Sequence, residues 1–122
     1  MPAGKQLGEF SFKFTTFINQ PGPGGILRQV TWEGMAGAFG TVFTTVTFTG
    51  GSKAGTFSEC GTAFLDNGEF LHATGQGTYE SVGKHKWKTA DFLQLSDGRR
   101  ISSEGEIDLA ERSWKGRLFE SS

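Results

Sequence analysis

The chain has a single cysteine, Cys60, and two histidines, His72 and His85. One thiol can neither close an intramolecular disulfide nor build a cysteine metal centre, and a site on two histidines would have to recruit carboxylates. His85 stands between Lys84 and Lys86 at a turn signal, where solvation is the expected role. Also missing are a phosphate-binding glycine loop and any G-x-S-x-G or H-E-x-x-H run, so we expect neither metal nor cofactor. Charge of one sign is lacking too. Lys+Arg is 12 against 13 Asp+Glu, for a net charge of −1, with no basic stripe for nucleic acid. No window approaches the ~20 apolar residues of a membrane helix. The N-terminal MPAGKQLGEFSF holds no apolar run long enough for a signal peptide. Together these absences predict a soluble protein of a reducing compartment, the cytoplasm, with neither nucleic acid nor membrane as partner.

What the chain does have is glycine and phenylalanine. There are 19 Gly, about twice the typical ~7%, and 12 Phe and 3 Trp beside 1 Tyr. The glycines separate runs of Phe, Val, Thr and Trp, which is how strands are punctuated. At 122 residues the chain is expected to be a single domain, residues 1–122, with residues 1–8 as a flexible N-terminus. A domain of this size buries roughly two thirds of its unfolded surface, enough for one core without staples.

Turn signals recur along the chain at Pro21–Gly25, Gly37–Gly40, Gly50-Gly51, Asn67-Gly68, Gly83-Lys84, Asp97-Gly98 and, more softly, Glu111-Arg112. Asn67-Gly68 and Asp97-Gly98 are the strongest, since such dipeptides suit the two-residue type I′ hairpin turn. Seven turns leave eight segments: 9–20, 26–36, 40–49, 54–65, 69–82, 85–96, 99–110 and 113–120. None shows sustained helical spacing, so almost no helix is expected. Several alternate. Phe10, Phe12 and Phe14 oppose Ser11 and Lys13, and the phase slips at Thr15-Thr16 before Phe17, which predicts a β-bulge. Short connections make neighbours antiparallel. Eight such strands leave two long edges unless the sheet closes, and closure leaves an interior just large enough for side chains or one small ligand. The expected fold is therefore all-β, an eight-stranded antiparallel and mostly up-and-down closed barrel. A two-sheet sandwich is the alternative.

Inward-facing polar groups are the candidates for chemistry. Asp91 shares a phase with Trp87, Thr89, Leu93 and Leu95, which points its carboxyl inward. A buried carboxyl must find a partner or stay protonated. Asp91 is thus either a register-fixing acceptor or a general base. Glu59 shares a phase with Phe57, Gly61, Ala63 and Leu65, opposite Cys60, although Phe64 and Leu65 leave the inner face of this strand open. His72 runs with Phe70, Thr74, Gln76, Thr78 and Glu80; the opposite set, Leu71, Ala73, Gly75, Gly77 and Tyr79, suits a packed interior. His72 is accordingly expected outside, while a reversed phase would line a wet lumen with it. Glu33 falls opposite Ile26, Val30 and Trp32 and is expected outside. Trp32, Trp87, Phe57 and Leu93 are the expected contacts for a ligand. Aromatics also occupy outer phases, among them Phe43, Phe92 and Phe119, which predicts self-association as a dimer or trimer.

With its Gly-interrupted strands, as in Gly75-Gln76-Gly77-Thr78-Tyr79, and its closing run Ser96-Asp97-Gly98 through Glu104-Gly105-Glu106-Ile107-Asp108-Leu109, the chain resembles the small barrels of the allene oxide cyclase-like fold. That group includes plant allene oxide cyclases and compact bacterial relatives. The resemblance implies a barrel, and in the enzymes of that fold a pocket-lining carboxylate steers cyclisation of a lipid-like substrate. This chain is shorter than those enzymes, and no position in it is matched to that carboxylate.

Two functions from different classes follow. One is a barrel that binds a small hydrophobic or aromatic molecule in its lumen. The other is a cofactor-independent cyclase or isomerase acting on a hydrophobic substrate, with Asp91 or Glu59 moving a proton and His72 or Tyr79 orienting or donating. An oligomerisation domain without a pocket is a third, simpler possibility.

Overall fold

A computed structural model describes residues 4–121. Eight strands follow in order: β1 (Gln6–Gly22), β2 (Gly25–Ala36), β3 (Thr41–Gly50), β4 (Ala54–Phe64), β5 (Phe70–Gly83), β6 (Lys86–Leu95), β7 (Arg100–Asp108) and β8 (Ser113–Ser121). Each pairs antiparallel with its neighbours in sequence, and β8 returns to β1, so the sheet closes with no free edge. The only helical piece among the described residues is a single 3-10 turn, Gly37–Phe39, between β2 and β3. The closed barrel is the expected one. Of the N-terminal stretch expected to be flexible, residues 1–3 lie outside the described residues, while Gln6–Gly8 are already strand paired to β8.

The alternation sets the faces. Phe10 and Phe12 on β1, Val30 and Trp32 on β2, Val46 on β3 and Phe57 on β4 are buried inside. Leu71 and Tyr79 on β5, Leu95 on β6, Ile101 and Ile107 on β7 and Trp114 and Leu118 on β8, with Ala36 at the end of β2 and Phe39 in the 3-10 turn, complete the core. The predicted bulge is present: the β1–β2 register shifts between Phe14 and Thr16, leaving Thr15 as the extra residue. Because it is a single extra residue, Phe17 pairs with Val30 on the inner phase as if the strand were regular.

Two turns differ in type from expectation. At both sharp hairpins positive φ is confined to the glycine, Gly68 at 92° and Gly98 at 95°, and Asn67 and Asp97 are not in that region. Gly68 N–H donates to Leu65 O and Gly98 N–H to Leu95 O, each at 3.0 Å. These are three-residue connections, a type I turn followed by a left-handed glycine, rather than two-residue type I′ turns. Asn67 Oδ1 and Asp97 Oδ1 explain the choice: each accepts a hydrogen bond from the backbone N–H two residues on, of Glu69 and Arg99.

Across the waist the lumen is plugged by rings. Trp114, 1% exposed, stands edge-on to Phe10 (5.5 Å between centroids), Phe12 (5.9 Å) and Phe57 (6.0 Å) and lies 5.5 Å from Trp32. Its indole N–H is satisfied by Thr89 Oγ1 at 3.0 Å. This aromatic waist separates two cavities, one toward each end of the barrel.

Candidate functional site

At the end ringed by the β2–β3, β4–β5 and β6–β7 connections lies a cavity of about 60 Å³, walled by Phe10, Phe39, Leu71, Leu95, Ile101 and Leu118 among others. Its polar floor is made by Glu59 and Asp91, 7% and 6% exposed. The two come from β4 and β6, with β5 between them. Glu59 pairs with Gly75 and Asp91 with Gly77, so the intervening strand presents no side chain and the two carboxyl groups interact across it. No larger residue fits there. A Cβ on Gly77 would run into the Phe57 ring, Ala90 O at 2.6 Å and Asp91 Cβ at 2.7 Å; on Gly75 it would collide with Phe92 O.

Each carboxyl has one hydroxyl donor. Thr44 Oγ1 donates to Glu59 Oε2 at 2.8 Å, and Ser103 Oγ, directly across the β6–β7 ladder, donates to Asp91 Oδ1 at 2.6 Å. Glu59 Oε1 has no donor among the described residues. Burial pushes the Glu59 carboxyl well above the ordinary range, and the adjacent Asp91 charge pushes it further. Asp91 is raised as well, again by burial, while hydrogen bonds from Glu59 and Ser103 hold it down. Two buried carboxyls this close disfavour double ionisation, so both are held above the ordinary carboxylate range, Glu59 the further.

The opposite end, ringed by the β1–β2, β3–β4, β5–β6 and β7–β8 turns, holds the larger lumen cavity, about 200 Å³. Its walls are aromatic and aliphatic: Phe14, Trp32, Phe48, Trp87, Ile107 and Leu109 among others. Tyr79 closes one side, donating to Gly51 O at 2.8 Å, and Trp87 Nε1 donates to Ser52 O at 2.8 Å, which ties the β3–β4 turn to the rim. One charged side chain enters this mouth, Arg28, whose Nη2 donates to Gly50 O (3.1 Å) and to Tyr79 Oη (3.3 Å).

The residues singled out in the sequence are thus distributed over three places. Glu59 and Asp91 are brought together. Tyr79 belongs to the other end of the barrel. His72 is exposed on the outer face, where Nδ1 lies 3.3 Å from Thr62 Oγ1, and it reaches neither cavity. Of the expected ligand contacts, Trp32 and Trp87 line the large cavity, Leu93 lines the small one, and Phe57 belongs to the plug. Arg28, Thr44 and Ser103 were not singled out, although each has a legible position. Arg28 is two residues before Val30 and four before Trp32, on their inner phase. Groups of three or more His, Cys, Asp or Glu able to hold a metal are absent among the described residues.

No protein family, no curated protein and no solved structure matches the chain.

Proposed function

We propose that the protein binds a small hydrophobic or aromatic molecule in the larger lumen cavity. One observation carries this reading: a void of about 200 Å³ whose walls are rings and aliphatic side chains. In another protein an engineered apolar cavity of about 150 Å³ stays dry and takes up benzene, so this volume admits a one- or two-ring molecule. The aromatic walls offer edge and face contacts suited to a flat ligand. Binding of 2-naphthalenemethanol, followed by native mass spectrometry and by thermal shift, tests the reading. Leu109, half-buried at the rim, is the residue to fill: Leu109→Trp is expected to abolish the shift while leaving the unliganded melting temperature within a few degrees, as for a rim change of about 1 kcal/mol or less. Undiminished binding to that variant would place the ligand elsewhere.

A second reading, a cofactor-independent cyclase or isomerase, is favoured by the acid pair. Two buried carboxyls whose charges oppose each other's ionisation can together offer an acid and a base in an apolar pocket. The small cavity admits only the reacting end of a substrate, so in this reading the substrate's bulk stays at the mouth. Glu59→Gln and Asp91→Asn would then each remove turnover of a hydrophobic substrate without unfolding the barrel. Full activity in both variants would exclude the pair.

A further inference from the structure

Donors and acceptors are out of balance in the larger cavity. No Asp or Glu lines it. Trp32, which does, is 3% exposed and its Nε1 has no acceptor. Arg28 lies half-buried at the same mouth and takes part in none of the ion pairs among the described residues. Its Nη2 reaches only neutral acceptors, a backbone carbonyl and a phenol oxygen, and its Nε and Nη1 donate to nothing among the described residues. Tyr79 and Trp87 already spend their own donors on the carbonyls of the β3–β4 turn. A guanidinium is always charged, and one taken partly out of water without a counter-ion is costly to keep. The cavity thus combines an apolar body with one positive charge that has no counter-ion among the described residues.

We infer that the molecule bound here is an aromatic or cyclic monocarboxylate, its ring held among Trp32, Phe48 and Trp87 and its carboxylate on Arg28. The inference rests on the proposal that this cavity takes an apolar molecule, and it names the class. The planar guanidinium fork matches a carboxylate's two oxygens. A single negative charge balances a single arginine, whereas a phosphate monoester would bring about two.

The experiment compares 2-naphthoate with 2-naphthalenemethanol, which share a ring system and differ in charge, by isothermal titration on the whole chain at low salt. The wild type is expected to bind the carboxylate at least about tenfold more tightly, as a charge-assisted hydrogen bond warrants. Arg28→Met, which keeps the aliphatic stem, is expected to reduce that ratio to about one while leaving the alcohol's affinity within about twofold. Arg28→Lys, a point charge without the fork, should retain an intermediate ratio. Equal wild-type affinities, or a preference that survives Arg28→Met, would overturn the carboxylate assignment and leave the cavity as a neutral-ligand site. Binding of neither probe would overturn the cavity reading and this inference with it.

Discussion

At the scale of single residues, Glu59 sets the pH behaviour of the fold. Its carboxyl titrates well above the ordinary range in the folded barrel because burial and the Asp91 charge both oppose ionisation. The folded state therefore binds a proton that the unfolded chain has already released. Stability from this group is fully present below the unfolded carboxylate range and is lost as pH rises through the folded value. Unfolding free energy should accordingly fall as pH rises from the ordinary carboxylate range through the folded value, by up to about 1.4 kcal/mol per pH unit over the affected window. Urea denaturation across that range measures it, and Glu59→Gln, whose amide does not titrate, should flatten the slope. Asp97 works in the opposite sense. Its carboxyl is held down chiefly by the Arg99 backbone N–H, so its contribution is lost only as pH falls through that lowered value, outside the same window. The inward phase of Asp91 is legible from alternation with Trp87 and Leu93, whereas that of Glu59 stays open in the sequence because Phe64 and Leu65 occupy opposite phases. Their meeting is not legible, because Gly75 and Gly77 reveal a shared space only once β4, β5 and β6 are in register. Arg28 is hard to read for a simpler reason: a charged residue near a strand end reads as solvated unless its phase is followed to Val30 and Trp32.

At the scale of elements, face and register are what the strands must preserve. Thr15 is the extra residue of the β1 bulge, so deleting it leaves Phe14 and Phe17 on their inner phase. Deleting Thr45 from the regular strand β3 would instead turn one half of that strand inside out, exposing Val46 or Val42. Deletion of Thr15 is expected to cost about 1–2 kcal/mol, and deletion of Thr45 to prevent folding; circular dichroism with urea titration distinguishes the two. The glycines of β5 differ in the same concrete way from those of the turns. Gly77→Ala should destabilise by about 3 kcal/mol, because its Cβ meets the Phe57 ring and the Ala90 carbonyl. Gly51→Ala, with nothing within 4 Å of the added carbon, should change stability by less than about 0.5 kcal/mol. Strand count, order and the bulge were readable from turn chemistry and alternation. The hairpin type was not, since Asn-Gly and Asp-Gly suit both a two-residue turn and a three-residue turn ending in glycine, and the side-chain acceptors of Asn67 and Asp97 select the second.

At the scale of the whole molecule, closure and plugging divide the labour between the two ends. Trp114 and Trp32 at the waist leave a small acid-floored cavity on one side and a larger aromatic cavity on the other, so a ligand at one end does not displace a group at the other. Outside, Phe43, Phe64 and Phe70 form an edge-to-face ladder across β3, β4 and β5, with centroids 6.0 and 4.9 Å apart. These are the aromatics that alternation assigned to the outer face or left open. A cavity is the property least visible in a sequence, because it depends on how far the rings at the waist fill the space that eight strands enclose. Its most direct test uses the three indole N–H groups as reporters. In a titration with 2-naphthalenemethanol followed by proton–nitrogen correlation spectra, the Trp87 and Trp32 indole signals should shift saturably while the outer-face amides of Thr74 and Gln76 stay still. Unmoved indole signals at saturating ligand, or shifts spread over the outer face of the barrel, would contradict a binding site in the lumen.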